Sequence, residues 1–173
     1  MKQFVILVDE IDNPIGIEEK LKAHQLGKRH RAFSVFILRK HPSWQVLLQQ
    51  RNFEKYHCGG LWTNTCCSHP SSYESTLVAA RRRLKEEMGI EVPLQEIGVF
   101  HYEASVGQGL TENEIDHVLI GFSELEAFQV NPSEVADYRW VDISILEKDL
   151  QKNPSQYTPW LAPALRLLLS YIS

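Results

Sequence analysis

The chain has 173 residues, room for one domain and a cramped fit for two. Its 18 Lys and Arg against 22 Asp and Glu give a net charge of −4. That excludes a general nucleic-acid binder, which needs a basic surface, yet leaves room for a small anion served by a few local cations. Hydrophobic residues at 43% and charged residues at 23% exclude a disordered chain, and three cysteines form no disulfide framework. A special role for a cysteine must come from reactivity or metal ligation.

No apolar run suits a signal peptide or a membrane span, the first being only Val5 to Val8. The chain reads as cytoplasmic, with neither nucleic acid nor membrane as partner. Phe4–Val8 predicts a strand and Glu18–Ala23 a short helix. Ala32–Leu38 and Gln45–Gln49, joined through the turn His41-Pro42-Ser43, predict a hairpin. Leu61–Cys67 suits a short strand. The clearest helix starts near Ser72 and stops at Gly89, with Leu77, Ala80, Leu84 and Met88 as its buried stripe. Strands follow at Ile97–Ser105, Glu114–Phe122 and Tyr138–Val141, then helices at Ile143–Lys152 and Pro159–Ile172, the last with its first turn separated or kinked by Pro163. This order predicts an α+β fold, a mixed sheet with helices packed on it, in a single domain over residues 1–173.

Four constellations carry chemistry. On the central helix, Glu87 falls about 80° from the buried stripe and Glu86 on the opposite side at 100° per residue. Glu87 is therefore the candidate ligand for a hard cation, which prefers oxygen and keeps substrate phosphates in its shell. A solvated helix with an Arg83–Glu87 pair is the other reading. In WTNTCCSHP, extended backbone would turn Cys67 and His69 to one face and Cys66 to the other. The same period aligns Glu112 with Glu114, and Asp116 after them. With His24 and His30, these residues make a mixed nitrogen and oxygen donor set for Mn2+, Fe2+, Zn2+ or Mg2+. Spacing alone does not bring the segments together.

Residues Ser68 to Ile90 resemble the Nudix box through Glu74, Arg82, Leu84, Glu86, Glu87, Gly89 and Ile90. Ser68 replaces the first glycine, and Arg83 stands where a Nudix pyrophosphohydrolase has a metal-binding glutamate. Together with WTN…C-x-HP, Glu112-Asn113-Glu114, the paired upstream histidines and Thr158-Pro159-Trp160, the box resembles the type 1 isopentenyl-diphosphate isomerase family over nearly the whole chain. The resemblance implies a Nudix-type α/β/α sandwich, with the Nudix core over about 28–162. It implies a reversible 1,3-allylic proton shift between isopentenyl and dimethylallyl diphosphate, with an isoprenoid diphosphate as small-molecule partner and a monomer or weak homodimer. It implies Cys67 and Glu114 as catalytic groups, Tyr102 as proton relay and Trp160 as the aromatic face for a carbocation. By the same resemblance Lys20, Arg51, Lys55 and Arg83 contact the diphosphate. His24, His30, His69, Glu112 and Glu114 hold Mn2+ or Mg2+, with Zn2+ and Fe2+ as alternatives, and Glu87 holds a Mg2+ that bridges the diphosphate. Cys58 and Cys66 match no functional position and read as structural. A Nudix pyrophosphohydrolase is the competing activity, and a non-enzymatic Nudix-like module is the third reading.

Overall fold

The computed structural model describes residues 1–173. In chain order it contains β1 (Phe4–Val8), β2 (Pro14–Glu19), α1 (Lys20–Leu26), β3 (His30–Lys40), β4 (Trp44–Arg51), β5 (Trp62–Thr63), β6 (Cys66–Ser68) and α2 (Thr76–Met88). Then come β7 (Gln95–Ser105), β8 (Thr111–Phe122), β9 (Val135–Asp142), α3 (Ile143–Lys152), a short 3-10 turn at Pro154–Gln156, and α4 (Leu161–Ile172).

Alternation along the central strands decides the architecture. Successive side chains of a strand point to opposite faces. Phe33, Val35, Ile37, Leu47 and Leu119 pack under Ala79, Ala80, Leu84 and Met88 of α2. Their neighbours Phe36, Leu38, Val46, Leu48, Val118 and Ile120 pack against Leu146 of α3 and Leu161, Leu165 and Leu168 of α4. Strands that are apolar on both faces need cover on both. The result is the expected sandwich, one mixed sheet between α2 and the α3–α4 pair.

The sheet also opens where the site will form. β3 runs parallel to β8 over His30–Leu38, and β7 pairs antiparallel with β8. β4 pairs with β9 along its length but with β3 only at Leu38–Lys40. Beyond that point β6 takes the free edge of β3, at Phe33–Val35. The segment between β5 and β6 stitches the opening with side chains. The backbone N–H of Ile37 donates to Thr65 Oγ1 at 2.9 Å, and that hydroxyl donates to Leu47 O at 2.6 Å. Asn64 Nδ2 donates to Val35 O and Cys66 O. The buried backbone groups at the split are thereby paired, as they must be.

Several elements differ from expectation. β2 was not anticipated, because its apolar Ile15 and Ile17 are exposed and leave no burial pattern to read. The helix expected at Glu18–Ala23 is α1, at Lys20–Leu26. Leu61–Cys67 divides into β5 and β6. α2 begins at Thr76, where Ser75 Oγ accepts from the N–H of Val78. Leu77 is 38% exposed, because the first turn of α2 lies outside the cluster that Ala79 and Ala80 enter. α4 is continuous, with Pro163 in a first turn where its missing N–H is not needed. α2 ends at Gly89 with φ 68°, and a Cβ there would lie 2.6 Å from Gln129 O. Glycine is required on both counts. No helix is long and apolar enough to cross a membrane.

The loop before α2 is closed by Glu74. Its carboxylate accepts two 2.7 Å bonds from Arg82 and one from the backbone N–H of Ser71. The Arg82 bonds come first in holding its carboxyl down to about 2, against 4.5 for an ordinary glutamate. A depressed folded-state value gives stability that is complete above pH 4.5 and is lost as pH falls toward 2. Glu74→Gln should cost about 0.5–1 kcal/mol at pH 7, the range of a good exposed pair. In urea titrations its difference from the parent chain narrows below pH 4.5. A difference that stays constant from pH 7 to pH 3 would rule this lock out.

Candidate active site

The opening in the sheet becomes a polar cleft. Three pairings assemble its polar floor. The parallel register sets His30 against Glu114, the β7–β8 register sets Tyr102 against Glu114, and β6 sets Cys67 against Ser34 of β3. Period two along β8 puts Glu112, Glu114 and Asp116 on one face, all buried. α1 turns back at Gly27, φ 62°, and delivers buried His24 beside them.

One ligand atom from each of His24, His30, His69, Glu112 and Glu114 lies within 4.8 Å of all the others. His24 Nδ1 is 2.6 Å from Lys20 O and His30 Nδ1 is 2.8 Å from Lys28 O. With those N–H groups donating outward, each Nε2 presents a lone pair inward. Neither Nε2 has a hydrogen-bond partner, and nor has Glu112 Oε2, although all three are buried. Buried polar atoms need partners. A divalent cation among three imidazoles and two carboxylates supplies one, so these residues fit a metal.

Burial first, then the charge of Glu112, pushes the Glu114 carboxyl well above the usual range. Glu112 goes the other way. Burial opposes its ionisation, but Glu114, His24 and His57 beside it hold it well below the usual range. Burial lowers His30 to about 4 and keeps its imidazole neutral.

Cys67 stands on the cleft wall, and Cys66, pointing the other way, is in the core under α2. A Cys67 thiolate would need a lowered pKa, and the cleft does not supply one. Burial pushes its thiol up to about 12, although Arg51 Nη1 lies 3.8 Å from the sulfur and opposes the shift. The group is a thiol at neutral pH. Tyr102 and Trp160 also line the cleft. The Trp160 indole N–H donates to Asn64 Oδ1 at 3.2 Å, and the Arg51 guanidinium lies 5.4 Å over its ring. Asp116 accepts from Ser34 Oγ at 2.8 Å, and burial pushes it up to about 8.

Lys20, Arg51, Lys55 and Arg83 line the same cleft. Burial lowers the Lys20 ammonium, and the other three cations add to the shift. Glu87 is buried, as the helical geometry required, while Glu86 is exposed. Arg83 Nη2 bonds Glu87 Oε1 at 2.7 Å, so the i,i+4 pair is real. Gln49 Nε2 donates to Glu87 Oε2 at 3.1 Å. Every anticipated site residue is therefore in or directly behind this cleft. Two others were missed. His57 Nε2 is 2.7 Å from Glu112 Oε1. Glu134 pairs with Lys55 and, at 3.2 Å, with Arg83. Both sit in loops with no periodic signal; the only cue was the nearness of His57 to Arg51 and Lys55 in sequence.

Residues 28–161 match the NUDIX domain family. The chain is 46% identical over 170 residues to isopentenyl-diphosphate Delta-isomerase 2 of Aromatoleum aromaticum, covering 98% of this chain and 88% of that one. It is 45% identical to isopentenyl-diphosphate Delta-isomerase of Serratia proteamaculans, covering 96% and 91%. Among solved structures, a Deinococcus radiodurans protein superposes with TM-score 0.77 at 16% identity, over 95% of this chain and 98% of that one. A MutT protein of Methanosarcina mazei superposes with TM-score 0.65 at 18% identity, over 84% and 96%. Those two likenesses carry the fold, and the sequence relatives carry the family: the chain belongs to the isopentenyl-diphosphate Delta-isomerases of the Nudix fold.

Proposed function

We propose that this enzyme interconverts isopentenyl and dimethylallyl diphosphate by proton transfer between Cys67 and Glu114. One observation carries the reading. The two groups enter one cleft from strands on opposite edges of β3, so that one can give a proton to the alkene while the other, deprotonated, takes one from carbon 2. The reaction adds a proton to the terminal alkene carbon, places positive charge on carbon 3, and removes a proton from carbon 2. It needs a donor and an acceptor within reach of the two carbons. Tyr102, paired with Glu114 in the sheet, is the relay. Trp160 presents an aromatic face to the cation, an attraction on the order of 2 kcal/mol when desolvated. The Arg51 guanidinium against that ring supports its use as a cation platform.

His24, His30, His69, Glu112 and Glu114 would hold a divalent metal, Mn2+ or Mg2+. When bound, it would neutralise the carboxylate pair and fix its orientation. Glu87 would hold a Mg2+ bridging the diphosphate; Mg2+ commonly takes one or two carboxylates plus substrate phosphates. Lys20, Arg51, Lys55 and Arg83 would bind the diphosphate oxygens. Arg83 replaces the glutamate that a Nudix hydrolase uses for metal, and so favours an intact diphosphate over hydrolysis.

Cys67→Ala and Glu114→Gln should each lower kcat for isopentenyl diphosphate by about 10^2–10^4-fold, the range for a lost acid or base. Both variants should keep cooperative unfolding. A chain with full activity as Cys67→Ala would contradict the assignment. Chelation with EDTA should abolish turnover and added Mn2+ with Mg2+ restore it; activity that survives exhaustive chelation would remove the metal from the account. Arg83→Ala should raise KM more than it lowers kcat, and an unchanged KM would separate Arg83 from the diphosphate.

A further inference from the structure

A metal ligand keeps its orientation and basicity when a second group holds it from behind. His24 and His30 have such partners in the carbonyls of Lys20 and Lys28. For Glu112 the partner comes from a loop. His57 Nε2 lies 2.7 Å from Glu112 Oε1, with the two side chains 6% and 2% exposed. The other oxygen, Oε2, is 3.3 Å from His24 Nε2 and has no hydrogen-bond partner. The two oxygens of one carboxylate are therefore unlike. One is taken by the protein, and the other faces the imidazoles.

We propose that His57 is a positioning residue of the metal centre: its Nε2–H occupies Glu112 Oε1 and presents Oε2 alone to a divalent cation. The inference rests on reading the five-residue cluster as a metal site. The surroundings of His57 support it. Its Nδ1 is buried without a partner, which leaves Nε2 as the one polar anchor of the ring. The ring packs 5.5 Å from His24 and 6.3 Å from Trp160, centroid to centroid. Its backbone carbonyl accepts a bond from Arg51 Nη2 at 3.3 Å. The loop that carries Lys55 is thus pinned to the metal centre through one side chain and to the diphosphate side through one carbonyl. His57 joins the two halves of the site.

Mn2+ binding, measured by the loss of free-ion EPR signal, tests this without any turnover. His57→Leu fills similar space but offers no donor, and should weaken Mn2+ binding about 10–100-fold, as loss of an outer partner does. His57→Gln keeps an N–H and should recover most of the affinity, a rescue that a space-filling role would not give. In the Zn2+-loaded parent chain, the His57 Nε2 proton should persist and its NMR resonance should move from its metal-free position. If the parent chain binds no Mn2+, or if Glu112→Gln leaves binding unchanged, the metal reading itself fails. If the parent binds and both His57 variants match it, the positioning role fails. Should His57→Leu not fold, the wild-type spectrum decides: a His57 Nε2 that loses its proton to Zn2+, or a resonance that does not move, overturns the proposal.

Discussion

Two carboxylates two residues apart on β8, 1% and 5% exposed, set the terms for the rest of the site. Removing a carboxylate from water costs several kcal/mol unless it is paired or protonated. Both remedies are used here. Burial raises the Glu114 carboxyl and so favours its neutral form, and Glu112 takes His57 at one oxygen. The unpaired Nε2 atoms of His24 and His30 then face the pair and complete a cavity for a cation. The opposite charge problem lies on the other side of the cleft. Lys20, Arg51, Lys55 and Arg83 raise one another's cost, and Glu87 and Glu134 offset it. A chain of net charge −4 thus gathers four cations beside a cluster of buried carboxylates and imidazoles.

The Nudix helix is a retained frame with one altered charge. Glu74 and Arg82 close the loop, Gly89 turns the chain out of the helix, and Glu87 still points into the cleft. Arg83, one turn before Glu87, is where the change lies, and it binds Glu87 directly. A cation beside the remaining carboxylate reduces the negative charge available to gather metals, and adds an anion contact instead. Under the proposed function, that reversal of sign favours an intact diphosphate.

Much of this was legible in the sequence, for separable reasons. The mixed sheet with helices on it could be read from the order of elements and the sandwich from the family resemblance; in the structure β3, β4 and β8 carry it by being apolar on both faces. The side on which Glu87 falls followed from helical geometry. Glu112 and Glu114 followed from period two. No spacing could say that His24, from α1, reaches those carboxylates; that depends on the Gly27 turn and on a parallel pairing between β3 and β8, and the expectation came from family resemblance. Leu77 misled because a helix stripe does not reveal which turn first meets the sheet. β2 was invisible because its apolar side chains are exposed. His57 and Glu134 were missed because a loop residue acquires its partner only in three dimensions. The protonation of Cys67 depends on desolvation, which sequence does not encode.

Proton exchange in deuterated water tests the central claim most directly. The chain would be incubated with isopentenyl diphosphate, Mn2+ and Mg2+, and the products followed by 2H and 31P NMR. Protonation at the terminal carbon predicts dimethylallyl diphosphate carrying deuterium in a methyl group, with both phosphorus signals of the diphosphate intact. Release of orthophosphate or isopentenyl monophosphate as the sole product would contradict it and return the chain to phosphate chemistry.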